Sequence, residues 1–420
     1  MTLPVIIIGA GAAGLSAAET LLDAGVDFLI LEASDQAGGR VRTLDSFADF
    51  PIELGAEEIH GPENAVQELA RTQGRPTLQH YTTDDLLRLD GELRLLDQAA
   101  EDPDVLAAFD FIASLGNYSG ENWTAQEVLI RQHFPRRAWH YLDSRLGVEH
   151  GTTLDRLAMR GFANYERGWE AREINYTLAT PYIDLFQPLI ERVGSRLMLR
   201  SPVASVEWGG TPVVRLKNGI QFHAKKILVT ASIRVLRESV IHFNPPLPSS
   251  KIEALSNIGM DDGMKILLRF HERFWDERMY FLHSDGFLPQ FWVPGKGKSD
   301  TSLVLTAFIG GSRMDTLKKM QMNPVTFALA ELDTVFGAKI ATRLFDAGYV
   351  ADWGTDPWVR GLYSYPTTST TPDDRETLAA SLSEKLFFAG EATDTEGHSG
   401  TVHGAMATGQ RAANQMLGNN

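Results

Sequence analysis

The sequence of 420 residues contains no cysteine. Without a thiol the chain forms no disulfide, thiolate metal site, iron–sulfur cluster, cysteine nucleophile or sulfur-linked cofactor. It also lacks an uninterrupted apolar run of about 20 residues, the length that a helix needs to cross a bilayer. Residues 1–4 carry no basic side chain and lead directly into a strand pattern, which is not typical of a signal peptide. We therefore expect a soluble, cytoplasmic protein with no membrane partner.

Basic side chains are scarce relative to acidic ones. Lys and Arg together number 39, Asp and Glu number 54, and the formal net charge is −15. Such a surface repels phosphate backbones, so we expect no nucleic-acid partner. The same excess is compatible with a cationic small molecule, although surface carboxylates commonly serve solubility alone. The length allows two or three domains with a sizeable core.

The first 32 residues fit a strand–helix–strand unit that binds a dinucleotide. A β-branched run predicts a buried strand, Gly9-Ala-Gly-Ala-Ala-Gly14 predicts a tight turn into a helix, and Glu32 ends the next predicted strand. Gly9 permits the turn, Gly11 lets a pyrophosphate approach the backbone, and Gly14 lets helix and strand pack closely. The helix N-terminus offers N–H groups to phosphates, and Glu32 is placed to accept hydrogen bonds from a ribose. This pattern predicts an α/β, Rossmann-like fold.

A second glycine motif, Gly38-Gly39-Arg40, follows this unit. Two adjacent glycines bring the arginine against a diphosphate, with which a guanidinium makes a forked, charge-assisted contact. Dehydrogenases that use NAD do not usually need this element, whereas proteins that bind flavin adenine dinucleotide often do. The alternative is that Arg40 makes only a surface ion pair.

Strand-rich and helix-rich stretches alternate along the rest of the chain. Asp90-Gly91 and Asn218-Gly219 predict hairpins, and a run of small residues predicts a helix from Gly404 to Leu417. We expect two interleaved domains. The segments expected in the nucleotide-binding domain are 1–79, 196–246 and 351–420, and those in an α+β substrate-binding domain are 80–195 and 247–350.

A series of motifs, in order from residue 9 to residue 405, resembles the flavin amine oxidase family. That family includes monoamine oxidases, polyamine and spermine oxidases, and lysine-specific histone demethylases; the polyamine and spermine oxidases are nearest in motifs. Beyond the two glycine motifs and Glu32, the matching segments are Glu53-Leu-Gly-Ala-Glu-Glu-Ile-His-Gly61, Ser201-Pro-Val-Ala-Ser-Val-Glu-Trp208, Phe243-Asn-Pro-Pro-Leu-Pro248, Met264-Lys-Ile-Leu-Leu-Arg-Phe-His-Glu-Arg-Phe-Trp275, Trp353-Gly-Thr-Asp-Pro-Trp-Val-Arg-Gly-Leu-Tyr-Ser-Tyr365, Phe387-Phe-Ala-Gly-Glu-Ala-Thr393 and Gly400-Thr-Val-His-Gly-Ala405.

The resemblance implies a GR2-type FAD-binding domain interleaved with the substrate-binding domain. Leu362 stands where monoamine oxidases carry the cysteine that bonds to flavin, so FAD is expected to be non-covalent. The residues that the resemblance places against FAD are Gly9, Gly11, Ala13, Gly14, Glu32, Ala33, Gly39, Arg40, Gly55, Ala56, Glu57, Val203, Trp353, Gly390, Glu391, Thr401, Val402 and Ala405.

Lys265 is one of three catalytic candidates. Strand alternation places it on one face with Leu267 and Arg269, and from that pattern alone a solvated strand face is favoured. The resemblance implies a different environment, because the family has at this position the lysine that holds a water against flavin N5. In that role Lys265 aids electron return to oxygen and positions water for imine hydrolysis.

Tyr365 and His60 are the other catalytic candidates. The resemblance implies that Tyr365 forms an aromatic wall beside the reactive flavin face, and Thr401 stands where relatives carry a second ring. His60 is expected near the pocket mouth, where it hydrogen-bonds a substrate amine. Whether His60 and Glu58 line the pocket is left open by the sequence.

Taken together, these patterns and the resemblance predict an FAD-dependent amine oxidase. A hydride passes from the amine α-carbon to flavin N5, the resulting imine is hydrolysed to an aldehyde, and dioxygen reoxidises the flavin to give hydrogen peroxide. The expected substrate is a polyamine or another primary or secondary amine. The histidines near the C-terminus lack metal-ligand spacing, so we expect no metal.

Three alternatives to this function are kept. One is an enzyme that acts on carbon skeletons, similar to carotenoid desaturases or protoporphyrinogen oxidase. Another is an L-amino-acid oxidase, which needs a buried arginine for the carboxylate. The last is a non-catalytic, FAD-binding interaction protein. The sequence leaves open which amine and which C–N bond react, and what the oligomeric state is.

Overall fold

The computed structural model describes residues 2–167 and 174–418. The strands in these ranges are β1 (Thr2–Ile8), β2 (Phe28–Leu31), β3 (Thr43–Leu44), β4 (Ile52–Glu53), β5 (Ile59–His60), β6 (Thr77–His80), β7 (Leu86–Leu89), β8 (Glu92–Leu95), β9 (Asn175–Leu178), β10 (Leu197–Met198), β11 (Val203–Glu207), β12 (Val213–Leu216), β13 (Gln221–Val229), β14 (His242–Asn244), β15 (Ile258–Gly259), β16 (Gly263–Phe270), β17 (Phe281–His283), β18 (Gln290–Trp292), β19 (Val304–Gly310), β20 (Phe345–Asp352), β21 (Tyr365–Pro366) and β22 (Leu386–Phe388).

The helices connect these strands and cover the sheets. Their bounds are α1 (Ala12–Asp23), α2 (Ala65–Thr72), α3 (Leu96–Ala99), α4 (Pro103–Ser114), α5 (Ala125–Arg131), α6 (Trp139–Leu142), α7 (Met159–Arg167), α8 (Gln187–Val193), α9 (Ile233–Arg237), α10 (Ser249–Asn257), α11 (Ser312–Met320), α12 (Pro324–Phe336), α13 (Ile340–Leu344), α14 (Asp374–Ala379) and α15 (Val402–Leu417). In the described ranges, none of them combines the length and the apolar character that a membrane crossing requires.

The larger sheet has the strand order β10-β2-β1-β13-β12-β11-β14, with β22 beside β13. Its centre is parallel, because β1 pairs in parallel with both β2 and β13, and β13 does so with β22. The β-branched run of β1 is buried on both faces, as Ile6 and Ile7 show, which is typical of a parallel sheet covered by helices. The prediction of an α/β, Rossmann-like fold is confirmed.

The second sheet has the order β20-β16-β19-β18-β17-β7-β8 and is mainly antiparallel. The hairpin predicted at its edge is present between β7 and β8, where Asp90 and Gly91 both have positive φ angles. Helices α11 and α12 pack on one face through an apolar cluster that includes Met314 and Leu332. Strand β16, which carries Lys265, lies between β19 and β20 in the interior of this sheet.

The chain alternates between the two sheets. Strands of the first sheet fall within residues 2–31, 197–244 and 386–388, and those of the second within 86–95 and 263–352. The domain boundaries themselves stay a prediction, and residues 168–173 of the expected substrate-binding segment lie outside the described residues. Parallel pairing brings the carboxyl ends of β1, β2, β13 and β22 to one edge of the first sheet. Ligands of open α/β sheets bind at such an edge.

Candidate active site

A cavity of about 410 Å³ opens at this edge and is lined by residues of both sheets. The first sheet contributes Ile8, Leu31 and Val203, and the second contributes Lys265 and Trp292. Its volume falls within the range of roughly 300–1,000 Å³ that is usual for small-molecule sites. The edge that topology marks as the ligand-binding end is therefore also where the structure has a cavity.

The turn between β1 and α1 has the geometry of a phosphate-binding loop. Gly9 has a φ of +106°, which side chains other than glycine rarely adopt. A Cβ on Gly14 would lie 2.0 Å from the carbonyl oxygen of Gly9, so only glycine lets the helix begin so close to the strand. No side chain caps the N-terminus of α1 at Gly11, which leaves backbone N–H groups available to an anion.

The second glycine motif lies directly against this turn. Gly38 forms a parallel bridge with Gly11, and its N–H donates to the carbonyl of Ala10 at 2.8 Å. A Cβ on Gly39 would lie 3.2 Å from the Cα of Gly11. The two motifs thus form a single backbone cradle without side chains. Such a cradle fits the diphosphate of a dinucleotide, which needs close approach to N–H groups.

Glu32 is held rigidly beside the cradle. Its Oε2 accepts the N–H of Ala10 at 2.7 Å, and its Oε1 accepts the N–H of Ser34 at 2.8 Å. The residue is buried and lines the cavity. Each carboxylate oxygen keeps a further lone pair for another donor. The proposed contact with a ribose therefore stays a prediction that this geometry allows.

Arg40 forms an ion pair inside the cavity wall rather than on an open surface. Its Nη1 lies 3.0 Å from Glu391 Oε1 and donates to the carbonyl of Leu362 at 2.7 Å. Glu391 also accepts from the Ser364 hydroxyl at 2.6 Å and from the Gly400 N–H at 2.9 Å. Burial raises the pKa of Glu391, but Arg40 and its other partners lower it by more, so the pKa is below its usual range. This carboxylate ties three of the predicted motifs together.

Lys265 is buried, which contradicts the solvated face that strand alternation favours. Its Nζ donates to Glu57 Oε2 at 2.7 Å and to the carbonyl of Glu53 at 2.9 Å. Trp292 Nε1 donates to the other oxygen of Glu57 at 3.1 Å. Because β16 is an interior strand covered on both faces, its lysine faces the cavity wall instead of water.

Glu57 and Glu53 are both buried, but their pKa values shift in opposite directions. Burial raises the pKa of Glu57, but Lys265 and then Lys298 lower it more, and the pKa falls below its ordinary value. Burial raises the pKa of Glu53 to about 7, against hydrogen bonds from Tyr182 and Thr43. Glu57 is therefore the ionised partner of Lys265. The resemblance places Glu57 against FAD, and Glu57 lines the cavity with its side chain bound to Lys265, so the contact with FAD stays a prediction.

Tyr365 does not line the cavity, which corrects its predicted position. Its strand, β21, pairs with β15 and packs the ring against Gly259, while its hydroxyl donates to Asp261 Oδ2 at 2.8 Å. Tyr363, two residues earlier, lines the cavity instead, and its hydroxyl donates to the carbonyl of Glu149 at 2.9 Å. Both tyrosines lie in one motif, so the aromatic signal was present in the sequence but pointed to the wrong ring.

His60 and Glu58 both line the cavity, which settles the question that the sequence left open. His60 Nδ1 lies 2.9 Å from Asn175 Oδ1, and burial lowers the pKa of the imidazole. Burial and then the charge of Glu57 raise the pKa of Glu58 to about 7. Glu58 Oε1 has no hydrogen-bond partner among the described residues.

The remaining predicted cofactor residues also border the cavity, apart from Gly14, which acts in packing. Those that line it are Gly9, Gly11, Ala13, Glu32, Ala33, Gly39, Arg40, Gly55, Ala56, Glu57, Val203, Trp353, Gly390, Glu391, Thr401, Val402 and Ala405. Thr401 caps α15, because its hydroxyl oxygen accepts the N–H of Gly404 at 3.0 Å. The positive end of the α15 dipole therefore faces the cavity. Which of these residues contacts a cofactor stays a prediction.

Several cavity residues escaped the sequence reasoning. Arg145 lies in a π-helical turn, Asp143–Gly147, a feature that is frequent at functional sites and has no simple sequence signal. It pairs with Glu149 at 3.0 Å. Trp292 and Phe308 come from strands outside the recognised motifs. The residues that the structure describes contain no group of three His, Asp or Glu side chains arranged to hold a metal.

Comparison with known proteins covers nearly the whole chain. A family model described as "Flavin containing amine oxidoreductase" matches residues 12–417. Polyamine oxidase 2 of Arabidopsis thaliana is 30% identical over 457 residues, which cover 97% of this chain and 87% of that relative. Lysine-specific histone demethylase 2 of Homo sapiens is 27% identical over 452 residues, covering 98% of this chain and 53% of the demethylase. The chain thus spans about half the length of that demethylase.

Solved structures share the fold along the entire chain. Cyclohexylamine oxidase from Brevibacterium oxydans IH-35A superposes with a TM-score of 0.83 at 22% identity, covering 100% of this chain and 99% of that one. Wild-type putrescine oxidase bound to putrescine has a TM-score of 0.82 at 19% identity, with the same coverage. At these identities the likeness establishes the fold.

Proposed function

The chain belongs to the flavin-containing amine oxidoreductase family, and from this premise we propose that it is an FAD-dependent amine oxidase. One observation carries the proposal: a single cavity joins the glycine cradle of the first sheet to the buried Lys265–Glu57 pair of the second. A dinucleotide in the cradle would extend toward this pair. We further propose a cytoplasmic location without nucleic-acid or membrane partners, which the net charge of −15 supports.

The residues present fit FAD. The cradle at Gly9–Gly11 and Gly38–Gly39 would hold the diphosphate, Glu32 the ribose, and the N-terminus of α15 the electron-accepting ring. When bound, FAD would take two electrons and a hydrogen from the amine α-carbon and pass the electrons to dioxygen. With no cysteine in the chain, a thioether link to the flavin is excluded, and we propose non-covalent binding.

The protein's own groups would position the amine and exclude water. An amine gives up a hydride readily only when its nitrogen is neutral, and the walls formed by Trp292, Phe308 and Tyr363 favour the neutral form by limiting its solvation. His60 lines the cavity, and because burial lowers its pKa, its imidazole would be neutral beside the amine. Lys265 has two of its three N–H donors occupied and would present the third to a water in the cavity.

For the substrate class we propose diamines or polyamines. Glu58 adds a carboxylate to the cavity, and its Oε1 lacks a partner among the described residues, so an ammonium at the far end of a diamine would supply one. The relatives named above include a polyamine oxidase and a putrescine oxidase, which supports the same class.

We predict that Glu58→Gln raises KM for a diamine about 10-fold or more with little change in kcat, because a charged hydrogen bond contributes roughly 1.5–3 kcal/mol. Glu58 ionises as pH rises through about 7, so the wild-type KM for a diamine should fall across that range. The variant should lack this pH dependence. A monoamine of similar chain length is the control substrate, since it has no second ammonium and its KM should not change. Equal effects on both substrates would contradict the assignment.

An amino-acid oxidase is the main rival, because the cavity contains a partly buried arginine. Arg145, however, is paired with Glu149 at 3.0 Å, and the charge of Glu58 also acts on it. A substrate carboxylate would have to compete with these groups, which favours amines that lack one. The charged groups at this end of the cavity do not favour the other rival, an enzyme that acts on polyenes.

Hydrogen peroxide release on a substrate panel tests the proposed function. The panel contains diamines, polyamines, monoamines, L-amino acids and a polyene, each supplied to the FAD-loaded protein in air. We expect peroxide with at least one diamine or polyamine. Peroxide with L-amino acids alone, or turnover of the polyene alone, would replace the proposed function by the corresponding rival.

A further inference from the structure

Glu57 is the centre of a buried hydrogen-bonded group at the cavity wall. One carboxylate oxygen accepts from Lys265 Nζ at 2.7 Å, and the other accepts from Trp292 Nε1 at 3.1 Å. The side chains of Glu57 and Lys265 are 6% and 7% exposed. Lys265 Nζ also lies 5.2 Å from the centre of the Trp292 ring. Lys265 and Trp292 thus each hold one oxygen of Glu57, and Glu57 in turn holds the lysine ammonium.

The charge balance of this group depends on Glu57. Glu53 lies nearby but offers Lys265 its backbone carbonyl, and burial raises the pKa of its own carboxyl to about 7. Lys298 adds a second nearby cation, although burial lowers its pKa. Removing the charge of Glu57 would therefore leave the Lys265 ammonium buried without a carboxylate partner. A buried charge whose partner is removed is strongly destabilising, whereas replacing both partners by neutral groups often is not.

We propose that Glu57 is a positioning residue that fixes Lys265 and cancels its charge, and so sets the net charge that the cavity wall presents to a bound flavin. The position of the flavin in this inference rests on the proposed function, whereas the pairing of Glu57 with Lys265 does not. Two N–H groups of the lysine are taken by Glu57 and by the Glu53 carbonyl, which leaves a single N–H in a defined direction. Lys265 then acts as a fixed donor and not as a mobile base.

The pairing is tested by thermal unfolding of the full-length protein, as purified, in a double-mutant cycle. Glu57→Gln and Lys265→Met should each lower Tm, and the double variant should be more stable than the sum of the two single effects predicts. Asp143→Asn is the matched control: Asp143 is a buried carboxylate that pairs with Arg313 and does not line the cavity. Its effect on Tm should add to that of Lys265→Met. Additive effects of Glu57→Gln and Lys265→Met would overturn the pairing.

The electrostatic role is tested by the midpoint potential of bound FAD. Reduction adds negative charge to the flavin, so Glu57→Gln should move the potential in the positive direction and Lys265→Met in the negative direction. The double variant should lie between them, and Asp143→Asn should leave the potential unchanged. A side chain that only stabilises the fold would lower Tm without producing these opposite shifts.

Shifts of the same sign, or no shift in either variant, would overturn the proposed role of Glu57. Its failure is distinguishable from that of the proposed function. Opposite shifts in a protein that oxidises no amine would leave the inference standing and reject only the activity. Amine oxidation with unchanged potentials would support the proposed activity and reject the role of Glu57.

Discussion

Lys265→Met is expected to leave FAD bound while slowing the reductive or the oxidative half-reaction at least ~10-fold, equivalent to about 1.4 kcal/mol of barrier. The physical reason is that methionine fills the space of the lysine stem but offers no N–H to a water in the cavity. The Glu57 carboxylate then also loses its cationic partner. Rapid mixing with an amine without air, and separately of reduced protein with oxygen, measures the two rates.

The control for this prediction is Lys225→Met. Lys225 is an exposed lysine on strand β13 and does not line the cavity. Its loss should leave both half-reactions unchanged, as the loss of a lysine on a solvated strand face does. If Lys265→Met also leaves both rates unchanged, Lys265 has no part in the mechanism.

Gly14→Ala is expected to abolish FAD binding and lower the yield of folded protein. The added Cβ would lie 2.0 Å from the carbonyl oxygen of Gly9, a backbone atom that cannot move without opening the turn. Forcing the helix away from the strand costs about 1–3 kcal/mol and disrupts the cradle that the diphosphate needs. FAD content per protein, read from visible absorbance, and Tm measure the two effects.

Gly210→Ala provides a matched control for this glycine. An added Cβ at Gly210 meets no atom within 4 Å, and the residue has no positive φ. We expect unchanged FAD content and an unchanged Tm. A Gly14→Ala protein that retains full FAD content and the wild-type Tm would show that the close approach of helix and strand is not required.

Local sequence rules predict the nucleotide-binding half well. The fingerprint at residues 9–14 needs only a turn, a helix and the next strand, all of which are close in sequence. Strand and helix lie there as expected, and Glu32 follows β2 directly, beside the cradle. The final helix begins at Val402, two residues before the predicted start, because Thr401 supplies the cap. These features depend on short-range geometry that the sequence carries directly.

The substrate side of the cavity depends on long-range packing and is harder to predict from the sequence. Lys265 contacts Glu57, which lies more than 200 positions away in the sequence. Strand alternation alone therefore predicts that the Lys265 side chain faces water, whereas in the fold it faces a carboxylate. Tyr365 and Tyr363 are separated by one residue, and only the pairing of β21 with β15 decides which ring enters the core. Arg145 reaches the cavity through a π-helical turn that no hydrophobic periodicity of the sequence predicts. In each case the deciding contact comes from another element.

The most direct test of the account is to mix the purified FAD-containing protein with individual diamines and polyamines in the absence of air and to record its visible spectrum. The account predicts that at least one of these amines bleaches the flavin absorbance and that admitting oxygen restores it. A yellow protein that no amine bleaches, or a protein that stays colourless after incubation with FAD, would contradict the account.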